Sequence, residues 1–248
     1  MTMRRLHVEA ARMAEETVVI EGEDHRYLTR VLRLGPGDRV VLFDGEGREA
    51  DAELVRIGPR EADLRIASRR AAPASRRGPR LVLLQSLARG ERMDFVVQKA
   101  TELGVDRIVP VATARAVLQL DGERSESRRA RWEKIAREAA RQSGRADVPA
   151  IDPVTDLARA VAEVPAEALK LLFYEDARAV PLKAALPATA PAEIALAIGP
   201  EGGFTVEEAA SAQAAGFFAV GLGPRILRTE TAALAALAIL DFAFGDLG

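Results

Sequence analysis

Two glycine-rich segments combine small residues with charged ones, as ligand-binding loops do. They are IGPEGGFT at Ile198–Thr205 and LGPRILRTETA at Leu222–Ala232. Each follows a strand-like run and leads into a helical run, so each is predicted to lie where open α/β sheets bind ligands, at the carboxyl end of a strand. Neither contains the Gly-Lys-Ser/Thr phosphate loop or the G-x-G-x-x-G dinucleotide pattern. The two segments are therefore candidate binding loops of another kind.

The first segment is predicted to approach a ligand through its backbone. Gly202 and Gly203 can adopt backbone angles that are closed to other residues, which brings main-chain N–H groups close to a bound molecule. Thr205 and Glu208 have the spacing of a capping box, which predicts that a helix begins there. A tight strand-to-helix turn without any ligand is the alternative interpretation.

The second segment places arginines where a helix start disfavours them. Arg225 and Arg228 precede a predicted helix whose amino end carries partial positive charge. An anionic partner would explain them, either an RNA phosphate or the carboxylate of Glu201 or Glu230. The alternative is a surface Arg–Glu pair, which contributes little to stability.

Composition excludes several kinds of site and of protein. The chain has 248 residues with two histidines and no cysteine, which excludes disulfides and thiolate metal sites, and we expect no metal. The amino terminus lacks the apolar run of a signal peptide. The longest apolar stretch, residues 232–244, is shorter than the roughly 20 residues that a membrane helix needs. We therefore expect a cytoplasmic protein that does not enter a membrane.

The net charge of −2 hides two basic regions. Arg65–Arg80 contains six arginines and no acidic residue, and Arg124–Arg145 contains eight basic residues against three acidic ones. Basic patches on a nearly neutral chain favour a protein that docks a polyanion with one face. Solvated helix faces joined by a basic linker would give the same pattern.

The first seventy residues read as short strands with one helix, which is typical of a small β-barrel. The helix is predicted over Asp24–Arg33, and Arg69–Pro79 is interpreted as a linker. We therefore predict two domains, residues 1–73 and 74–248. The predicted strands of the first domain are Val18–Gly22, Asp38–Gly45, Arg48–Ile57 and Glu61–Ala67.

After Arg80, strands alternate with helices, which predicts a mostly parallel sheet covered on both faces. The helix Arg92–Leu103 is predicted to bury Phe95, Val96 and Leu103 by their spacing. The predicted strands are Leu81–Leu87, Arg107–Ala112, Leu169–Tyr174, Glu193–Gly199 and Phe217–Gly223. The other predicted helices are Ser127–Ser143, Asp156–Val164, Thr205–Ala215 and Thr229–Phe244.

Four segments together resemble one known family. ERMDFVVQKATELGV (Glu91–Val105) and EAARQSGR (Glu138–Arg145) occur in order with IGPEGGFT and LGPRILRTETAA, and the chain is similar over its whole length to the bacterial RsmE family of SPOUT-class methyltransferases. The resemblance implies a PUA-like β-barrel followed by an α/β domain with a deep trefoil knot. It also implies an S-adenosylmethionine-dependent homodimer that methylates N3 of a uridine in the 16S ribosomal RNA of the small ribosomal subunit.

The resemblance also implies which residues form the site. In SPOUT proteins the cofactor lies among three knot loops and is held mostly by backbone groups. Carried onto this chain, the cofactor-binding residues are Phe173, Ile198, Gly199, Pro200, Glu201, Gly202, Gly203, Leu222, Gly223, Ile226, Leu227, Thr229, Thr231 and Ala232.

Methylation of N3 requires removal of the proton that this nitrogen carries in neutral uridine. The site therefore needs a base, a positive group that stabilises the deprotonated base, or both. Glu201 and Glu230 are the candidate bases, and Arg5, Arg225 and Arg228 are the candidate electrostatic stabilisers. Two alternatives stay open: a related enzyme that acts on another RNA or on a ribose 2′-hydroxyl, and an RNA-binding module without catalysis.

Overall fold

The computed structural model describes residues 4–71, 78–116, 122–174 and 179–247. The chain divides into two compact units. One consists of Met1–Ser75 and Arg137–Val148, and the other of Arg76–Ala136 and Pro149–Gly248. The sequence prediction of one boundary near residue 73 differs from this grouping mainly in the Arg137–Val148 segment.

The amino-terminal unit is built on a five-stranded sheet with the order β1-β3-β4-β5-β2. The pairing of β1 with β3 is parallel and the other pairings are antiparallel. Leu6, Leu28, Leu42 and Leu64 lie in its apolar core, each 0% exposed. Its strands are β1 (Arg5–His7), β2 (Thr17–Glu21), β3 (Arg39–Phe43), β4 (Arg48–Ile57) and β5 (Glu61–Ala71).

The predicted helix over Asp24–Arg33 differs from the observed one. Helix α1 spans Gly22–Arg26 and continues as a π-helical turn over Tyr27–Val31. Strand β1 was not predicted, because three residues are too few to display a period-2 pattern.

The linker prediction was wrong for its first three residues. Strand β5 extends to Ala71, because Arg69 and Arg70 pair in register with Ala50 and Glu49 of β4. Charge pairs across the two strands hold this extension in place. Residues 72–77 of the predicted linker lie outside the described residues.

The segment Arg137–Val148 completes the core of the amino-terminal unit. Phe43 packs against Ala140 and Ala146. Two main-chain hydrogen bonds join the same parts of the chain, from the Gly47 N–H to the Ala146 carbonyl at 3.3 Å and from the Val148 N–H to the Gly45 carbonyl at 2.9 Å. A contribution from so distant a stretch of sequence does not follow from local patterns.

The second unit contains an eight-stranded sheet whose pairings are all parallel. This confirms the predicted alternation of strands and helices. Its strands are β6 (Arg80–Ser86), β7 (Arg107–Ala112), β8 (Ala150–Ile151), β9 (Thr155–Asp156), β10 (Leu169–Phe173), β11 (Val180–Pro181), β12 (Glu193–Ile198) and β13 (Phe218–Gly221). The remaining helices are α2 (Arg92–Glu102), α3 (Gly122–Ser143), α4 (Leu157–Ala162), α5 (Leu182–Ala185), α6 (Val206–Ala214) and α7 (Thr229–Phe244).

The strand order brings distant parts of the sequence to one sheet edge. The order is β11-β13-β10-β12-β6-β7-β8, with β9 also paired to β7. Strand β10 lies between β12 and β13, so Phe173 is in register with both Ile198 and Val220. The two glycine-rich segments therefore leave the same edge of the sheet, one strand apart.

Within the described ranges, no helix is both long and apolar enough to span a bilayer. In the same ranges, histidine, aspartate and glutamate side chains form no group of three or more that could hold a metal ion.

Candidate active site

The two glycine-rich segments are joined by a buried hydrogen-bond chain. The Thr229 hydroxyl, at the start of α7, donates to the Gly199 carbonyl at 2.6 Å. The amide Nε2 of Gln85, a side chain with no exposure at the end of β6, lies 3.0 Å from the same hydroxyl oxygen and donates to it. These hydrogen bonds therefore hold the end of the segment Leu222–Ala232 against the beginning of the segment Ile198–Thr205.

Replacement of Thr229 by valine is expected to lower the free energy of unfolding by about 1–3 kcal/mol. The variant keeps the shape of the side chain but leaves the Gly199 carbonyl and the Gln85 amide without their partner in a buried site. Thr229→Ser, which keeps the hydroxyl, is expected to retain most of the stability. Urea denaturation of both variants measures the difference, and equal stability of the two would contradict the assignment.

The first segment is a tight turn that is fixed by its neighbours. Gly203 has a φ of 67°, and its N–H donates to the Pro200 carbonyl at 2.9 Å. The predicted capping box is confirmed, since the Glu208 N–H donates to the Thr205 hydroxyl at 3.1 Å and the Glu208 carboxylate accepts from the Thr205 N–H at 2.8 Å. The guanidinium of Arg115 donates to the Gly202 carbonyl at 3.0 Å.

The second segment forms one wall of a pocket of about 320 Å³ at the carboxyl ends of β10 and β13. Six of the predicted cofactor-binding residues line it, namely Phe173, Leu222, Gly223, Ile226, Leu227 and Ala232, and so does Arg225, which was predicted as catalytic. The prediction missed Tyr174, Ala179, Pro181, Val220 and Gly221, which also line it. Gly221 lies inside a strand prediction, where nothing in its sequence context marks a ligand.

The walls of this pocket combine apolar side chains with main-chain N–H groups that make no described backbone hydrogen bond. Within the described part of the chain, the N–H groups of Leu222, Gly223, Ile226 and Leu227 donate to no backbone carbonyl. A Cβ built on Gly221 would meet no other atom within 4 Å, so this glycine borders open space. The pocket can therefore hold a flat, partly apolar molecule and offer it main-chain donors.

The other predicted site residues do not line this pocket. Arg228 is the exposed residue that precedes α7, and Thr231 is exposed in its first turn. The remaining predicted residues outside the pocket are Arg5, Ile198, Gly199, Pro200, Glu201, Gly202, Gly203, Thr229 and Glu230. The first segment thus borders the pocket-forming loop through Thr229 without lining the pocket itself.

Arg92 connects the two candidate bases. Its guanidinium pairs with Glu201, and its Nε lies 3.9 Å from the Glu230 carboxylate. Burial acts to raise the pKa of Glu201, but hydrogen bonds from backbone N–H groups, including that of Arg89, and from Arg92 outweigh it and lower the pKa. Glu201 is therefore a paired, ionised carboxylate. Arg92 lies in the segment Glu91–Val105 that carries the family resemblance, but it was not among the predicted site residues.

Arg5 lies in the core of the amino-terminal unit and is 2% exposed. It forms a 2.6 Å ion pair with Glu49, donates to the Arg145 carbonyl at 2.9 Å and lies over the Phe43 ring. These contacts give Arg5 a role in stabilising the fold, and the proposed mechanism does not use it.

Many of the arginines expected to face a polyanion have partners within the protein. Arg131 pairs with Asp94 at 2.5 Å, Arg129 with Glu133 at 3.2 Å, and Arg145 with Asp147 at 2.5 Å. Arg69 donates to main-chain carbonyls, including that of Met13 at 2.7 Å. Local positive charge in the sequence therefore overstates the positive charge that these regions can offer to a partner.

Comparisons with known proteins agree with this architecture. Residues 76–241 match the family model described as an RNA methyltransferase domain, and residues 20–67 match one described as an RNA methyltransferase PUA domain. Ribosomal RNA small subunit methyltransferase E of Mycobacterium bovis is 36% identical over 225 residues, covering 88% of this chain and 84% of the relative. The protein of the same name from Bacillus subtilis is 30% identical over 249 residues, covering 97% and 96%.

Solved structures resemble the whole chain. Ribosomal RNA small subunit methyltransferase E from Neisseria gonorrhoeae, bound to S-adenosyl methionine, is 37% identical with a TM-score of 0.91, covering 99% of this chain and all of that one. A methyltransferase from Legionella pneumophila, described as putative and in complex with the same cofactor, is 33% identical with a TM-score of 0.90, covering 99% of each chain. The chain belongs to the RsmE family of RNA methyltransferases, with a PUA-like amino-terminal domain and a carboxyl-terminal SPOUT domain.

Proposed function

We propose that the protein transfers the methyl group of S-adenosylmethionine to N3 of one uridine in 16S ribosomal RNA, within the small ribosomal subunit. We also propose that it acts as a cytoplasmic homodimer and that the carboxyl-terminal domain is knotted. Family membership supports the methyltransferase activity, and the similar protein from Neisseria gonorrhoeae binds the proposed methyl donor.

The observation that carries the proposal is the pocket of about 320 Å³ at the ends of β10 and β13. Small-molecule sites occupy roughly 300–1,000 Å³ and are lined mainly by apolar groups with a few polar ones. The side chains of Phe173, Ile226 and Leu227 suit the faces of an adenine, and the N–H groups of the loop that donate to no described backbone carbonyl suit its nitrogen atoms and the ribose oxygens. When bound, the donor supplies a methyl group already activated by a sulfonium.

The protein's own residues position the reactants and handle a proton. The loop Leu222–Leu227 and the end of β10 hold the donor in a fixed orientation, which can contribute on the order of 7–11 kcal/mol to lowering the barrier. Arg225 lines the pocket proposed for the donor. The uracil must approach this pocket for the transfer, so the charge of Arg225 can add to the stabilisation of negative charge on the base.

The path of the last segment supports the proposed knot. After β13 the chain passes the ends of β10 and β12, and at Thr229 it reaches Gln85 at the end of β6. A chain that crosses two neighbouring strand ends in this way has the opportunity to thread through an earlier loop. Exposed apolar side chains on α7, Ile239 at 41% and Phe242 at 67%, support the proposed homodimer.

The proposal is tested with small ribosomal subunits from cells that lack this protein. We expect labelled methyl groups from S-adenosylmethionine to appear in 16S RNA as N3-methyluridine, identified by mass spectrometry of nucleosides. Transfer RNA and naked 16S RNA serve as parallel substrates. Methylation of a ribose 2′-hydroxyl or of transfer RNA would support the alternative target, and absence of donor binding and transfer would support a non-catalytic RNA-binding module.

A further inference from the structure

A second pocket opens at the end of β6, beside the cluster of Arg92 and the candidate bases. Its volume is about 490 Å³, and Arg89, Gly90, Glu91, Arg92, Phe95 and Glu230 line it. Phe95 was predicted to be buried, and the prediction was wrong, because its side chain is 45% exposed. Val96 is buried as predicted, and Met93, Val97 and Ala100 form the buried face of α2 with it.

The two candidate bases differ in their partners. Glu201 is held by Arg92 and by the Arg89 N–H, whose nitrogen lies 3.2 Å from its carboxylate. Among the residues that the structure describes, the ion-pair partner of Glu230 is Arg92, whose Nε lies 3.9 Å from its carboxylate. Within the described residues, its Oε2 atom is buried and has no hydrogen-bond partner. A buried carboxylate oxygen without a donor costs free energy, unless a ligand supplies that donor.

The hydrogen-bonding edge of a pyrimidine base differs between uracil and cytosine. Uracil presents an oxygen acceptor on each side of the N3–H donor, whereas cytosine has an acceptor at N3 and an amino donor beside it. A carboxylate beside a guanidinium fits the uracil pattern, because the carboxylate accepts from N3–H and the guanidinium donates to a neighbouring oxygen. An exposed phenylalanine ring offers a surface on which any base can stack.

The two pockets share one short piece of chain. Arg225, Ile226, Leu227 and Ala232 line the pocket at the ends of β10 and β13, and Glu230 lines the pocket at the end of β6. Both are lined by residues that follow strands of the same sheet, and the segment that enters α7 contributes residues to each.

We infer that the pocket at the end of β6 holds the uracil that is methylated, with Glu230 as the proton acceptor. This inference rests on the proposed function and names the acceptor site within it. The N3–H bond breaks and its proton passes to the Glu230 carboxylate, while the electron pair left on N3 forms the new bond to the methyl carbon. The C–S bond of the donor breaks, and its electrons stay on sulfur. Arg92 stabilises the negative charge on the uracil oxygens, and Phe95 stacks on the ring.

The first test is the rate of Glu230→Gln. We expect kcat to fall about 100-fold or more, as for loss of a general base, with the Kd of S-adenosylmethionine within twofold of wild type. Glu230→Asp, which keeps a carboxylate, is expected to retain a reduced but measurable rate.

A matched control separates this effect from helix stabilisation. Glu207 also lies in the first turn of a helix, α6, and is exposed. Glu207→Gln therefore changes the same kind of charge near a helix start, away from both pockets, and is expected to leave kcat unchanged.

The second test measures binding without turnover, by titrating the isotope-labelled protein with nucleotides in NMR experiments. Uridine 5′-monophosphate is expected to shift signals around Phe95 and to bind at least fivefold tighter than cytidine 5′-monophosphate or N3-methyluridine 5′-monophosphate. Glu230→Gln removes this preference, whereas Phe95→Ala weakens the uridine and cytidine nucleotides alike. If wild-type protein methylates ribosomal RNA but Glu230→Gln keeps its rate, or if uridine 5′-monophosphate shifts signals elsewhere, the inference is wrong and the proposed function stands. If wild-type protein transfers no methyl group, the proposed function is wrong, and the titration still tests the pocket.

Discussion

Gly221→Val is expected to weaken the binding of S-adenosylmethionine by about 100-fold, which corresponds to about 2.8 kcal/mol. Gly221 lines the pocket at the ends of β10 and β13, and a Cβ there would meet no other atom within 4 Å. Its φ is not in the left-handed region, so the backbone tolerates a side chain. The valine methyl groups would occupy the space proposed for the donor and leave the fold intact. Isothermal titration calorimetry measures the loss.

Gly35→Val is the matched control for this substitution. A Cβ on Gly35 also meets open space without a left-handed φ, but Gly35 belongs to the amino-terminal unit. We expect this variant to bind S-adenosylmethionine with wild-type affinity. A folded Gly221→Val protein with wild-type affinity would show that the donor binds elsewhere.

Arg5→Met is expected to lower the free energy of unfolding by about 3–5 kcal/mol. The Arg5–Glu49 pair is buried, with 3% and 7% of the side chains exposed. Removing one partner of a buried pair leaves the other charge in a poorly solvated site. Arg70, 2.9 Å from the same carboxylate, compensates in part, so the lower end of the range is expected. Urea denaturation measures the change.

The neighbouring residue provides the comparison for Arg5. Arg4 pairs with Asp38 at the surface, where 43% and 36% of the side chains are exposed. Exposed pairs contribute little to stability because water screens them, so Arg4→Met should unfold almost as wild type does. An Arg5→Met protein as stable as Arg4→Met but without methyltransferase activity would restore the catalytic role that the sequence suggested for Arg5.

The sequence predicted the elements that display a clear period and the segments that connect them. The capping box of Thr205 and Glu208 correctly predicted where α6 begins, because both residues act locally. On α2, however, two apolar stripes overlap. The spacing suggested that Phe95, Val96 and Leu103 form the buried face, whereas packing buries Val96 together with Met93 and leaves Phe95 exposed.

The pocket itself depends on contacts that no local pattern encodes. Strand β13 pairs with β10 rather than with β12, which precedes it among the strands, and this choice places Gly221 beside Phe173. The family resemblance supplied the pocket-lining loop Leu222–Leu227, but Tyr174 and Pro181 come from other strand ends. Similarly, the partners of Arg5 become visible only when distant parts of the chain, including Arg145, come together.

A crystal structure of the protein with S-adenosylmethionine tests most directly whether the loop after β13 holds the methyl donor. We predict electron density for the adenosine between Phe173 and the Leu222–Leu227 loop, with main-chain N–H groups of that loop donating to it. Density for the cofactor at the Gly199–Gly203 turn alone, or at the Arg92 cluster with the space beside Gly221 filled only by water, would contradict this assignment.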